Sequence, residues 1–506
     1  MKRTTVVIAA VVLALLPLGA WGQSDSEKDF FGGDEATVAA PPAAPAVDPT
    51  KQFNESSNGA QWGGYLLSDA TWNPGWVGGL PGDPNAAWND GLSYDLLATA
   101  YLDSRPDKNF RVRFSLQAGY PFTTTVNNVV LSPTPLSGSS LTTPTTTDLT
   151  VPNLKVWELF TDVTVDDFLF LRFGKQSASW GVAYFYSVAD VISLTSINVL
   201  NPTLQREGPV ALKATIPFPN LKANLTGFAL ARDSYFTNQT PAISSLGYAL
   251  QGDILVGEAQ LTLGGFYQEA SAPKLVATVN TGLGFLNLPI NGTIDVFTEA
   301  IVSRGSDSLL GSGTSTLPAQ GVTYTTYQSL SPWPQNAYYT GTAGFNYSNN
   351  EYNFSLRGEY LYNPFGSADK DAASKTYGTY FATLANQFQA NSLENSSGQL
   401  LGSSNLLYTG IHNATVLFDI TKIANSKLEF STLAQGNFSD GSGWVRPYFT
   451  VYPWTQLGLS WGLQYVYGDD GTQYPMQFES YSASGVPLGT KRLSLVIEVF
   501  FGTNRF

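Results

Sequence analysis

Between residue 61 and the C-terminal end, the chain is built from segments of about ten residues in which apolar and polar side chains alternate. A period of two places the two sets on opposite faces of a β-strand, so this pattern confines the fold to sheet. In 110–120, Phe110, Val112, Phe114, Leu116, Ala118 and Tyr120 fall on one face. Arg111, Arg113, Ser115 and Gln117 fall on the other. Residues 457–467 repeat it, with Leu457, Leu459, Trp461, Leu463, Tyr465 and Tyr467 set against Gly458, Ser460, Gly462 and Gln464. Strands are predicted near 61–72, 92–102, 110–120, 154–165, 168–175, 209–216, 221–231, 246–255, 258–267, 274–284, 293–303, 336–348, 353–362, 405–418, 427–438, 444–452, 456–467 and 491–501. That makes about eighteen. A count of sixteen also fits, because strand ends are the least legible part of a sequence.

The connections are as informative. Those after even-numbered strands are short: 103–109, 166–167, 217–220, 256–257, 285–292, 349–352, 419–426 and 453–455. Those after odd-numbered strands are mostly long, such as 121–153, 176–208, 304–335, 363–404 and 468–490, with 439–443 the short exception. Short turns on one rim and long loops on the other predict an all-β fold, a transmembrane antiparallel up-and-down β-barrel of the outer-membrane kind. An even strand number returns both ends of the barrel to the short-turn side, the periplasm. A solenoid would need a fixed repeat of about 20–50 residues, and the chain shows none. A soluble sandwich would also alternate, but two features favour the membrane. Trp157, Tyr339, Tyr347, Tyr362, Trp461 and Tyr467 lie on apolar faces near strand ends, as interfacial girdles require. The opposite faces carry Arg, Lys, Glu, Asn and Gln rather than a second apolar set.

Upstream of the barrel (61–506), two segments read differently. Lys2 and Arg3 precede an uncharged, mostly apolar run at 4–18, and Ala20 and Gly22 place small residues at −3 and −1 before Gln23. This predicts a secretory signal peptide at 1–22; the run is too short for a membrane anchor. Residues 23–60 are acidic and Ala/Pro-rich, which predicts a disordered periplasmic linker or tether.

Composition excludes several classes. Charged residues are 13% of the chain, about half the usual share. Lys+Arg number 26 against 39 Asp+Glu, giving a net charge of −13, which argues against a nucleic-acid partner. With Cys at 0 there is no disulfide framework, no thiolate metal site, no thiol nucleophile and no N-terminal acylated cysteine. The single histidine, His412, excludes paired-His metal sites and leaves Ser-His-Asp chemistry on one candidate, whose facing the pattern leaves open. No cofactor, no metal and no enzymatic activity are expected.

If the apolar positions face lipid, the alternate ones face the lumen. The predicted pore-lining bases are Arg111, Arg113, Arg172, Lys213, Lys222, Arg357, Lys427, Arg446 and Arg492. The predicted pore-lining acids are Glu158, Asp162, Asp295, Glu299, Glu359, Glu429 and Glu498. Charges are tolerated there because water fills the interior. Near balance between the two sets predicts weak ion selectivity. The connection 176–208 is mostly apolar, too much so to stand in water, and is expected to fold into the mouth and narrow it; packing on the outer rim is the alternative. Within it, Ser187 and Asp190 form a capping-box pattern ahead of an apolar run at 191–200, which predicts a short helix.

One stretch carries a family resemblance. Gly174-Lys175-Gln176, Trp180-Gly181, Asp190-Val191-Ile192, Asn201-Pro202 and Arg206-Glu207-Gly208-Pro209 resemble a pattern in porin-like outer-membrane proteins of diderm bacteria. In that pattern a strand ending Gly-Arg-Gln leads to Trp-Gly, then Asp and Asn-Pro, then an Arg before the next strand; here Lys175 replaces the first Arg. The resemblance implies a constriction loop carrying Lys175, Gln176, Trp180, Gly181, Asp190, Asn201 and Arg206. The terminal Phe506 resembles the signal read by the barrel-assembly machinery, although Gly502 and Asn504 stand where apolar residues are usual.

These readings predict an outer-membrane, porin-like channel for passive or weakly selective diffusion of small hydrophilic solutes. The partners implied are outer-membrane lipid, the assembly machinery, small solutes and a homo-oligomer. Three alternatives differ in class. A channel for hydrophobic compounds or polysaccharide would use Trp72, Trp76, Trp88, Tyr184, Phe185 and Tyr186, in or next to long connections. A surface adhesin would use Ser/Thr-rich loops such as 123–150. An outer-membrane enzyme lacks a Gly-x-Ser-x-Gly elbow and is disfavoured.

Overall fold

The structure, a computed structural model, describes residues 59–502 except 129–146, 194–196, 203–205, 232–245, 285–290, 307–308, 312–313, 317–324, 328–329, 333–334, 367–409, 482–486 and some isolated positions, Asn201 among them. The leader and the linker lie outside the described residues, save Gly59 and Ala60, which open the first strand.

Eighteen long strands follow in chain order: β1 (Gly59–Trp72), β2 (Leu92–Asp107), β3 (Phe110–Asn128), β4 (Thr147–Val165), β5 (Leu169–Lys175), β6 (Val210–Phe218), β7 (Ala223–Ala231), β8 (Gly247–Val256) and β9 (Ala259–Tyr267). They continue with β10 (Lys274–Gly282), β11 (Thr293–Arg304), β12 (Ala337–Asn349), β13 (Phe354–Tyr362), β14 (His412–Ile420), β15 (Leu428–Asn437), β16 (Ser442–Trp454), β17 (Leu457–Tyr467) and β18 (Pro487–Gly502). Each pairs antiparallel with the next. The sheet closes where β1 meets β18, with Leu67 opposite Gly502 and Trp72 opposite Ile497. Closure leaves no unpaired edge, which a sheet in a bilayer requires. Eighteen strands, not sixteen, form the barrel.

The outer wall is mostly apolar because most alternate residues of each strand are. Leu263, Leu275 and Phe173 are among its exposed members. Exposed aromatics ring both ends: Trp72, Tyr94, Tyr120, Tyr267, Tyr339 and Tyr362 at the long-loop rim, and Trp62, Phe168, Phe218 and Trp454 at the short-turn rim. Trp157 departs from the expected girdle. The β3–β4 register skips it, since Ser115 pairs with Glu158 and Leu116 with Val156, so it sits in a bulge.

The inner wall is of two kinds. From β1 to β5 and on β18 most inward residues are polar or charged, with Tyr101, Phe160 and Val496 among the exceptions. From β6 to β17 many inward residues are buried and apolar: Phe228, Leu230, Phe266, Val276, Ile301, Leu361, Leu433, Trp444 and Val466. Two clusters form on this side, and both include residues of the connection 176–208. A short helix, α1 (Gln473–Gln477), adds Tyr474 to the second cluster at the long-loop mouth.

Candidate functional site

The connection 176–208 leaves the long-loop end of β5 and folds into the barrel. Its stem is closed by bonds among the residues that carry the family resemblance. Lys175 Nζ pairs with Glu207 at 2.6 Å. Buried Gln176 donates its backbone N–H to the Pro209 carbonyl at 3.1 Å and its side-chain amide to the Ala211 carbonyl at 3.0 Å. Gly174 has φ +129°, and a Cβ on Gly208 would overlap the Gln176 carbonyl, so neither position takes a side chain.

Further in, Asp190 organises the loop. One carboxylate oxygen accepts from the backbone N–H of Trp180, Ile192 and Ser193 at 3.2–3.3 Å, and the other pairs with Arg206. The capping-box helix predicted for 191–200 does not form at the described positions, which are bends, turns and irregular chain. Ser187 donates instead to the Trp180 carbonyl at 3.1 Å. Asp190 spends its oxygen on the two amides of the bend that follows it and on that of Trp180, ten residues upstream, leaving no helix start to cap. Trp180 packs edge-on to Phe228, with centroids 6.0 Å apart, and over Gly264, where a Cβ would lie 3.2 Å from its ring. Asn201 lies outside the described residues.

The loop is held by two carboxylates of the wall. Glu299 (β11) accepts from the N–H groups of Val182, Ala183 and Ala189 at 2.5, 2.7 and 2.8 Å. Glu359 (β13) accepts from those of Tyr184, Phe185 and Tyr186 at 2.5, 2.8 and 2.9 Å. Five consecutive amides, 182 to 186, thus turn toward two anions. Such nests bind negative charge well, and charge-assisted bonds are about twice as strong as neutral ones. Gly181 makes the approach feasible: its φ is +106°, and a Cβ would collide with Ser187 and lie 2.5 Å from Glu299. The bonds leave Glu299 and Glu359 only 1% and 3% exposed. Both face inward, but they do not line the pore as the alternation predicted, because the loop covers them.

The aromatic tip then reaches the far wall. The Arg357 guanidinium stacks 3.7 Å from the Tyr184 ring centroid. Burial pushes the Tyr184 phenol above its ordinary value, against the pull of Arg357. The Tyr186 hydroxyl accepts from Thr415 at 2.6 Å and Gln435 at 3.3 Å, and its carbonyl accepts from Thr342 at 2.7 Å.

The opposite side of the lumen holds an ion-pair lattice. Arg111 binds Asp103 through two nitrogens, at 2.9 and 2.6 Å. Arg172 binds Asp162 at 2.7 and 3.1 Å, and Arg113 binds Glu158 at 2.8 Å. Arg172 and Arg111 lie over the Phe160 ring and Arg113 over Tyr101. Lys213 neighbours Arg172 across β5–β6. Farther round, Arg446 meets Glu498 at 3.1 Å. Arg492 pairs with Asp470 at 2.5 Å near the mouth. Asp295 and Glu429 hold inward register positions near the short-turn rim.

Two predicted pore residues lie elsewhere. Lys222 closes the tight turn between β6 and β7 in a left-handed conformation, φ 48°, and is exposed at the rim. Lys427 precedes β15 and donates to the Pro453 carbonyl of the next turn at 3.3 Å. Alternation extrapolated one residue past the strand end placed both in the lumen. Sequence reasoning also missed inward Asp69, Asp95, Asp103, Arg105, Asp253 and Asp419. Strand periodicity alone could have found them. The loop-anchoring role of Glu299 had a weaker signal: its inward neighbours Phe297 and Ile301 are apolar, marking a lumen wall packed against protein. His412 faces outward, bonded to the Tyr360 hydroxyl at 2.6 Å and packed near Tyr362.

No protein-family model and no curated protein matches the chain. Among solved structures it is similar to OccAB2 of Acinetobacter baumannii, with TM-score 0.45, 10% identity, and coverage of 88% of this chain and 98% of that one. It is also similar to OccK9 (OpdG) of Pseudomonas aeruginosa, with TM-score 0.44, 10% identity, and coverage of 88% and 99%. The outer membrane protein OpdK of the same organism gives 0.41, 9%, 88% and 99%. The fold assignment rests on the chain's own geometry: with closed pairing, an apolar outer wall and a loop folded inward, it is a porin-like β-barrel.

Proposed function

We propose that the chain is an outer-membrane channel passing small hydrophilic solutes by passive, weakly selective diffusion. The observation that carries this reading is the asymmetry of the lumen. The loop 176–208 occupies the side of β6–β17, and the charged wall of β18 and β1–β5 is left to line the passage. A barrel of this size leaves an aqueous channel unless it is filled. Here the filling is one-sided, so the loop sets the width and the ion-pair lattice sets the field. Bases and acids are close in number and interleaved: Asp103, Glu158 and Asp162 pair with Arg111, Arg113 and Arg172, and Arg446 pairs with Glu498.

In this reading the short turns and the N-terminal linker face the periplasm, and Phe506 is read by the barrel-assembly machinery. Membrane lipid surrounds the wall. A homo-oligomer would form through the outer face. The hydrophobic-compound reading is weaker, because the inward apolar residues pack against the loop rather than line a path. The enzyme reading is weaker too, since His412 faces outward.

Liposomes containing the refolded chain would be challenged with sugars of graded size. Swelling with a size cutoff is the expected result. No swelling from a barrel shown to be folded by heat-dependent gel mobility would overturn the channel reading.

A further inference from the structure

The outer wall carries a groove that the barrel itself does not need. It has a volume of about 990 Å³, within the range of small-ligand sites, and runs across β6 to β11. Its floor is made of small outward residues, Ala214, Gly227, Ala229 and Gly265, and Leu250 and Leu275 stand beside them. Glycine inside the barrel has a packing reason: a Cβ on Gly264 would press on Trp180, and one on Gly247 would lie 2.9 Å from Leu230. On the outer wall that reason is missing. A Cβ on Gly227 would meet nothing nearer than 3.8 Å, and one on Gly265 nothing nearer than 3.5 Å. Neither has a positive φ. A side chain would fit at both places, and the space is left open.

The groove's upper end is of different chemistry. Tyr248 and Tyr267 flank it near the long-loop rim, both exposed, at the level where phenols meet lipid headgroups. Arg304 ends β11 beside them and is exposed. Among the described residues, Arg304 is the one charged side chain at an outward position on β6–β12; the acids of these strands, Asp253, Asp295, Glu299, are at inward positions. An apolar trough capped by two phenols and a guanidinium complements a lipid with an acyl tail and a phosphate headgroup.

We propose that this groove is a binding site for a phosphate-bearing membrane lipid, its acyl chain lying over Gly227 and Gly265 and its phosphate at Arg304. The proposal rests on the reading of the barrel as membrane-spanning. A recess suits one chain of a lipid better than the broad contact of a second barrel.

The test is native mass spectrometry of the folded full chain in detergent, with phosphatidylglycerol and a diacylglycerol of matched tails supplied in equal amounts. The wild type is expected to retain phosphatidylglycerol in preference. Gly227→Leu with Gly265→Leu, which fills the trough from the lipid side, is expected to lose the adduct. Arg304→Gln is expected to keep an adduct and lose the preference. Equal retention of both lipids by the wild type would overturn the headgroup assignment. An adduct unchanged in the filled variant would overturn the groove. A dimer of the chain that disappears in the filled variant would mean that the recess seats a second copy, and would also overturn it. Flotation of the wild type with liposomes and heat-dependent gel mobility test membrane insertion and folding separately. A chain that floats without an adduct refutes the groove alone; a chain that does not float refutes the membrane reading.

Discussion

The two halves of the lumen solve opposite problems with the same strand pattern. On β6–β17 the inward positions carry Phe228, Ile301, Leu361, Trp444 and Val466, and a loop covers them as a core would. On β1–β5 and β18 they carry Arg111, Arg113, Arg172, Glu158, Asp162 and Glu498, each bonded to an opposite charge. The difference teaches that an inward position in a wide barrel is not a solvent position by default. What stands opposite it decides, and here a backbone segment stands opposite the larger part of the wall. Glu299 and Glu359 belong to the first half, where they serve as acceptors for amides that would otherwise be buried without partners.

The sharpest way to break the contrast is to release the loop. Glu299→Gln with Glu359→Gln keeps the shape, removes both charges and sets amide donors against loop N–H groups. Each buried charge-assisted bond is worth about 1.5–3 kcal/mol, and several are lost at once. Single-channel recordings should show a larger, noisier conductance, and an unchanged trace would refute the latch. Trp180→Ala acts on the same half with less force. Truncating a packed tryptophan costs about 3–5 kcal/mol, part of it borne by the loop rather than the barrel. Limited proteolysis should then cut within 176–208 while gel mobility still reports a folded barrel.

On the charged half, Arg172→Glu replaces a cation in the lattice by an anion facing Asp162. The reversal potential in a salt gradient should move toward cation preference, and the sugar cutoff should stay where it was. A changed cutoff with unchanged selectivity would assign the lattice to shape rather than field. The smallest effect is expected from Tyr186→Phe, which removes the acceptor of Thr415 and Gln435 at a cost of about 1–3 kcal/mol. It should raise current noise slightly without altering mean conductance.

Much of the barrel was legible because two-residue alternation and turn length are local properties. All eighteen strands lie where the pattern places them, including the hairpin across the short connection after β15. The loop was legible only in part. Lys175, Gln176, Gly181, Asp190 and Arg206 stood out, and they turn out to build the stem and bends. Glu299 and Glu359, more than a hundred residues away in sequence, hold the loop in place. Their partners are backbone amides, which every residue has, so no side-chain pattern in the loop announces them. The ends of strands misled for the same local reason: Lys222 and Lys427 continue the alternation in sequence but sit where the backbone has already turned.

The two-sided lumen can be tested directly because the chain has no cysteine. Single cysteines would be placed at Asp95 and Gln117 on the charged half, and at Val276 and Leu361 under the loop. The folded barrel in liposomes would then be treated with a small, charged, water-soluble thiol reagent. Fast labelling at 95 and 117, with 276 and 361 protected until the Glu299→Gln, Glu359→Gln pair is added, is the predicted result. Equal labelling at all four positions in the otherwise unaltered chain would contradict a loop fixed against one wall.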